Sequence, residues 1–212
     1  MSLQKPIPIK IFLAILSCFA WFALIPQFFI TIGNGNAPWF ENFIRYFSYF
    51  TLLTNAMVAV YCTVLLVAPN SRWGRFFART GTATAITVYI TIVGLIYNII
   101  LRKLAQFEGL QKILNEVQHV IVPVLFVLYW CVFVNKSSLR WKDFLPWLGY
   151  PFIYLLFVLV RGSFSNFYPY PFIHLGNIGL QQTLINAALM GVLFILMSLA
   201  FIGIGKLWSR KK

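Results

Sequence analysis

Six stretches of the chain stay apolar for so long that the alternation typical of half-buried helices and strands disappears. They lie near residues 10–32, 46–67, 80–101, 118–135, 145–162 and 183–205. Each approaches the roughly 17–25 residues a helix needs to cross ~30 Å of hydrocarbon. The pattern predicts an all-α integral membrane protein of six transmembrane helices in one domain, residues 1–212, with the fifth span the shortest and nearly upright. Lys5 and Lys10 precede "IFLAILSCFAWFALI" as in a signal sequence, but no small-residue cleavage pattern follows, so this run is read as the first span.

The connections are short, with two exceptions. In "RKLAQFEGLQKILNEVQH", Phe107, Leu110, Ile113, Leu114 and Val117 make an amphipathic stripe, which predicts an interfacial helix running into span four. The aromatic, Pro- and Gly-rich "RGSFSNFYPYPFIHLGNIGLQQ" is expected to fold back over the helix ends. Pro123 stands four residues after His119 and has no N–H to offer the carbonyl of residue 119, so span four should kink there.

Polar side chains inside the spans are few and one-sided. In "IRYFSYFTLLTNAMVAVYC", Ser48, Thr51 and Asn55 recur at i, i+3 and i+7, the spacing of one helical face. Tyr97, Asn98 and Arg102 close span three, Gln118 and His119 open span four, Arg161 ends span five, and Gln181, Gln182 and Asn186 open span six. His174 lies in the connecting loop. With alternating span direction, all fall on the same side. Polar groups in lipid turn toward the bundle interior or a wet cavity, so the pattern predicts a polar pocket opening to the outer side.

Composition excludes the soluble alternative. The chain is 60% hydrophobic and 10% charged, against about 25% charged in soluble domains. A net charge of +13 would suggest nucleic acid in a soluble protein, but here its placement matters more. Lys5, Lys10, Arg72, Arg75, Arg79, Lys136, Arg140, Lys142, Lys206, Arg210, Lys211 and Lys212 share the side of the termini. Only Arg45, Arg102, Lys103, Lys112 and Arg161 fall on the other. The positive-inside bias then makes both termini cytoplasmic. The basic rim faces anionic lipid, and no nucleic-acid partner is needed. Cys18, Cys62 and Cys131 lie inside spans without disulfide or metal-site spacing and read as packing residues; no metal or cofactor is expected.

A hydroxyl and an imidazole in one pocket suggest acyl transfer. Ser48 or Thr51 would be the nucleophile and His119, with an ordinary pKa near ~6.5, the base. The amides of Asn55, Gln182 or Asn186, or Arg161, would bind substrate or polarise its carbonyl, with Asn98, Arg102 and His174 as further pocket residues. A site at bilayer depth favours a membrane lipid or another small molecule with an acyl chain. The spans carry no Asp or Glu, which weakens a proton-coupled transporter, and no Gly-x-Ser-Gly turn marks an intramembrane protease. The same pocket equally suits a non-catalytic protein that binds a lipid or small molecule or carries it across. The sequence leaves the oligomeric state open.

"RYFSYFTLLTN", "HVIVP" and "YPYPFIHLGNIG", in this order and placement, resemble the androgen-induced-gene family of six-span membrane proteins and its bacterial relatives. The likeness runs from span two to span six. Animal members hydrolyse fatty-acid esters of hydroxy fatty acids, and the resemblance implies an intramembrane nucleophile in span two and an essential histidine in span four. By position these fall on Ser48, where the animal enzymes carry Thr, and on His119, with Asn55 in the place of the span-two amide. Thr51 is a second hydroxyl nearby. The likeness to the bacterial relatives implies a multi-pass protein of a bacterial cytoplasmic membrane.

Overall fold

The computed structural model describes residues 6–104 and 106–210, the side chain of Arg210 excepted. Lys5, Lys211 and Lys212 lie outside the described residues. Among the described residues every regular element is a helix, and six helices are long and apolar enough to cross a membrane. The fold is that of a multi-pass membrane protein. The first three spans are α1 (Ile7–Gly33), α3 (Phe50–Val67) and α5 (Thr80–Ile99). Short helices α2 (Trp39–Tyr46) and α4 (Arg72–Phe77) lie in the connections.

Span four begins earlier than its hydropathy indicates. The amphipathic helix α6 (Gly109–Glu116) passes through a π-helical turn, Val117–Ile121, directly into α7 (Val122–Phe133). Leu114 and Val117 of the amphipathic stripe are buried, whereas Leu110 and Ile113 are exposed. Span five is not the shortest: it runs over 25 residues, Trp141–Ser165, against 18 for α3. Its apolar run looks shorter because a 3-10 turn (Trp141–Asp143) and α8 (Phe144–Trp147) precede the main helix α9 (Gly149–Ser165). The sixth, α10 (Leu175–Arg210), breaks at Gly179, whose φ of 75° no helix interior adopts.

Lipid tails are as apolar as leucine, so the helices gain association chiefly from close packing and internal hydrogen bonds. Small residues supply close packing: Ala20 and Ala23 of α1, Ala59 of α3 and Ala83 of α5 are all buried, and α3 packs against both α1 and α5. Gly94 lets α5 approach span four, since a Cβ there would sit 3.2 Å from the His119 carbonyl and 3.3 Å from Pro123 Cβ. Proline supplies several of the hydrogen bonds by freeing carbonyls. Pro123 leaves the His119 carbonyl without its helical donor; the helix widens into the π-turn, and Asn98 Nδ2 donates to that oxygen at 3.3 Å. Pro151 frees the Trp147 carbonyl, which Tyr89 Oη takes at 2.6 Å. Other side chains add bonds to carbonyls that no proline frees: in α1, Gln118 Nε2 donates to the Ala23 carbonyl and Tyr46 Oη to that of Leu24.

The two halves of the bundle are unequally packed. Of the most apolar stretch of α5, 67% is buried, against 11% for span five. Spans five and six therefore flank a tight core of α1, α3, α5 and α7. The site lies along that boundary.

Candidate functional site

The polar residues do gather at one end of the bundle, but in separate clusters. Ser48, Thr51 and Asn55 do not share one helix. Chain direction breaks between α2 and α3, and Ser48 sits in the turn. The turn forms because side chains take over its backbone groups. Ser48 Oγ donates to the Ile44 carbonyl at 2.7 Å, and Tyr154 Oη donates to the Ser48 carbonyl at 2.8 Å. Ser48 is fully buried.

The first amides of α3 lack helical acceptors, as at every helix N-terminus. Here two tyrosines from distant segments supply them. The Phe50 N–H donates to Tyr154 Oη at 3.2 Å, and the Thr51 N–H donates to Tyr170 Oη at 3.2 Å. Thr51 Oγ1 and Tyr170 Oη also share a hydrogen bond at 3.3 Å. Burial outweighs the bonds from Thr51 and raises the Tyr170 phenol above its ordinary range, so it stays a neutral hydroxyl.

Beside this hydroxyl cluster lies a cavity of about 280 Å³ between α3, α5, α9, α10 and the loop carrying Tyr170. Thr51, Tyr154 and Tyr170 are the polar side chains of its wall; the rest is apolar, including Phe50, Ile92, Ile96, Phe172, Met190 and Phe194. Of the residues the sequence singled out, only Thr51 lines it.

His119 anchors a second cluster. Its ring stacks on Tyr97, with centroids 4.0 Å apart, and its Nδ1 lies 2.8 Å from the Asn115 carbonyl. That distance fits an Nδ1–H donor, the tautomer that leaves an acceptor lone pair on Nε2. Asn115 Nδ2 donates to Tyr97 Oη. Arg102 sits over the Tyr97 ring at 5.1 Å, donates to Asn98 Oδ1 at 3.0 Å and pairs with Glu116 at 2.7 Å. Asn55 joins the two clusters: its Nδ2 donates to the Thr51 carbonyl at 2.9 Å and to the Gln118 carbonyl at 3.2 Å. Its buried Oδ1 has no partner among the described residues. Among the same residues, no hydrogen bond connects Ser48 or Thr51 to His119.

The other polar residues hold the loops at this end of the bundle. Arg161 Nη2 meets Glu41 at 2.6 Å, Arg45 meets the same carboxylate at 2.8 Å, and both guanidinium groups lie 4.7 Å from the Phe167 ring centre. Burial alone would raise the Glu41 carboxyl, but the hydrogen bonds and charges of Arg45 and Arg161 win and hold it below its ordinary 4.5. His174 packs against Tyr168, and its Nδ1 is buried without a partner among the described residues. Gln182 bonds Asn186, whose Nδ2 in turn donates to the Phe172 carbonyl at 2.8 Å, fixing α10 to the turn Pro171–Ile173. The aromatic loop does fold back: Tyr168 and Tyr170 are buried, and Tyr168 covers Gly162 of α9.

Hydropathy reading missed Tyr154, Tyr170 and Asn115. A signal existed for the first two, because a phenol at bilayer depth must find a partner for its hydroxyl. Sequence alone does not say which partner. Among the described residues, no three His, Cys, Asp or Glu side chains gather as a metal site would require. No protein-family model, characterised protein or solved structure matches the chain.

Proposed function

We propose that the protein takes up an apolar small molecule or lipid from the bilayer and holds it in the cavity between α5, α9 and α10. The observation that carries this reading is the cavity itself: about 280 Å³, apolar except for three hydroxyl-bearing side chains on one wall. Small-molecule sites are of this kind, from about 300 Å³ upward, mostly apolar with a few placed polar groups. Phe152 and Gly191 line the cavity and are also exposed on the outside of α9 and α10. A ligand therefore reaches the site sideways, from the hydrocarbon. With both termini cytoplasmic, as the basic residues favour, the cavity serves the outer half of the membrane.

Native mass spectrometry of the purified protein after exchange into mild detergent tests this. A retained apolar ligand on wild type, lost in Ala187→Phe, is the expected result. A wild-type protein that retains nothing and takes up no added lipid would contradict it.

Ester hydrolysis is a second reading, supported by the Thr51 hydroxyl on the cavity wall and by the free acceptor that the Nδ1 contact assigns to His119 Nε2. A Thr51 or Ser48 hydroxyl would add to the ester carbonyl while His119 accepts its proton. The proton would leave with the alcohol, and water would release the acid and restore the hydroxyl. Since no bond links these groups in the resting arrangement, this reading requires closure around substrate. Turnover of a fluorogenic acyl ester, compared among wild type, Ser48→Ala, Thr51→Ala and His119→Ala, decides it. Full turnover by His119→Ala would remove the proposed base.

A further inference from the structure

The first turn of α5, at the opposite end of that helix from Asn98 and the His119 cluster, gathers hydrogen-bond donors and lacks acceptors. The amides of Thr80, Gly81 and Thr82 have no helical partners, as at every helix N-terminus. Ala83 is the first to find one, donating to the Arg79 carbonyl at 3.1 Å. Ser, Thr, Asp or Asn ordinarily caps such a turn, but the cap here is Arg79, which makes no side-chain capping bond. Thr80 commits its hydroxyl proton to the Asn135 carbonyl at 2.8 Å. Trp147 adds an independent donor. It is 7% exposed, and Tyr89 holds its carbonyl. Among atoms of other segments, only its indole Nε1 comes within 4.0 Å of where a Gly81 Cβ would stand. That N–H makes no hydrogen bond among the described residues, and a buried indole donor needs an acceptor.

Charge points the same way. Arg72, Arg75 and Arg79 lead into this turn, are exposed, and form no ion pair among the described residues. Asp143, the only acidic side chain at this end, is engaged by Arg140 at 3.3 Å. Exposed Trp73 and Trp141 mark the level at which indoles meet lipid headgroups. We infer that the N-terminus of α5 binds an anionic phosphate group, carried on a phospholipid headgroup or free in solution. Phosphate oxygens accept from the Thr80, Gly81 and Thr82 amides, as at other helix N-termini, and from the Trp147 indole. Arg79 supplies the countercharge. A zwitterionic lipid would bring its ammonium toward Arg72, Arg75 and Arg79, so the site favours an anionic lipid over phosphatidylcholine. The site is independent of the cavity and of what the cavity holds.

Native mass spectrometry of the full-length protein in non-ionic detergent, with phosphatidylglycerol and phosphatidylcholine at equal concentration, provides the test. Wild type should take up phosphatidylglycerol with about fivefold preference, the effect of one cation beside an anionic headgroup. Arg79→Gln should remove most of that preference, and so should Trp147→Phe, which deletes the N–H and keeps a ring. Arg72→Gln, outside the turn, and Ala187→Phe, at the cavity, should keep it. Uptake that persists in excess inorganic phosphate assigns the site to a lipid headgroup. Displacement by phosphate, or a rise in the wild-type unfolding temperature with phosphate that Arg79→Gln abolishes, assigns it to the free ion. Equal losses in Arg72→Gln and Arg79→Gln would reduce the effect to a diffuse basic rim and overturn the site. An undiminished preference in Trp147→Phe protein that unfolds like wild type would also overturn it. So would a wild type that shows neither lipid preference nor stabilisation by phosphate. If Trp147→Phe fails to fold, the comparison of Arg79→Gln with Arg72→Gln decides.

Discussion

At the scale of single residues, hydroxyls and amides act mainly on backbone groups. Tyr170 is the clearest case, because it accepts from the Thr51 N–H and bonds the Thr51 side chain. Tyr170→Phe leaves a buried amide unsatisfied, which costs about 1–3 kcal/mol; denaturant titration in detergent micelles should show a loss of that size. Glu41 gives a pH-dependent counterpart. Its carboxyl titrates below 4.5 in the folded protein, so its pairs with Arg45 and Arg161 contribute fully above that pH. Their contribution fades as pH falls through the lowered folded value. Thermal unfolding should show wild type more stable than Glu41→Gln by roughly 1–3 kcal/mol at pH 7, between the values for exposed and buried pairs. The difference should shrink toward zero in acid. Much of this was legible beforehand as a list of residues. Thr51, Asn55, Asn98, His119 and Arg161 stood out as polar groups in hydrocarbon, but their partners did not, because a carbonyl freed by proline or left at a helix end carries no mark in the side-chain sequence.

At the scale of elements, breaks in the helices place the site. Hydropathy shows where a chain is apolar, not where its hydrogen-bond ladder stops. The six spans and the amphipathic helix that runs into span four were therefore legible, whereas the turn at Ser48 and the break at Gly179 were not. Pro123 was the exception, since a missing N–H has a predictable victim four residues earlier; the π-turn at His119 is its outcome. The loop between α9 and α10 depends on a close approach at Gly162, where a Cβ would overlap the Tyr168 ring. Gly162→Ala should displace that ring and destabilise the protein by about 1–3 kcal/mol. It should also speed hydrogen exchange at residues 166–174. Exchange there at the wild-type rate would show that the loop does not depend on this contact.

At the scale of the whole molecule, a tightly packed core of α1, α3, α5 and α7 meets two lightly packed spans, and the cavity occupies the seam. The expected single polar pocket is replaced by separate hydrogen-bonded clusters, and the cavity wall beside them is apolar. Convergence reflects the need of each polar group for a partner, and those partners consume most of the polarity before it reaches open space. The proposed cytoplasmic placement of both termini rests on the basic residues, and a reporter fused after Lys212 tests it: activity only on the cytoplasmic side is the expected result. Photolabelling with an alkyl diazirine ketone, mapped by mass spectrometry, tests the cavity most directly. Saturable labelling confined to residues 148–155 and 187–195, and lost in Ala187→Phe, is the expected result. Labelling spread over outward-facing residues such as Ile11, Val67 and Val132, unsaturable and indifferent to Ala187→Phe, would show that the cavity holds no ligand.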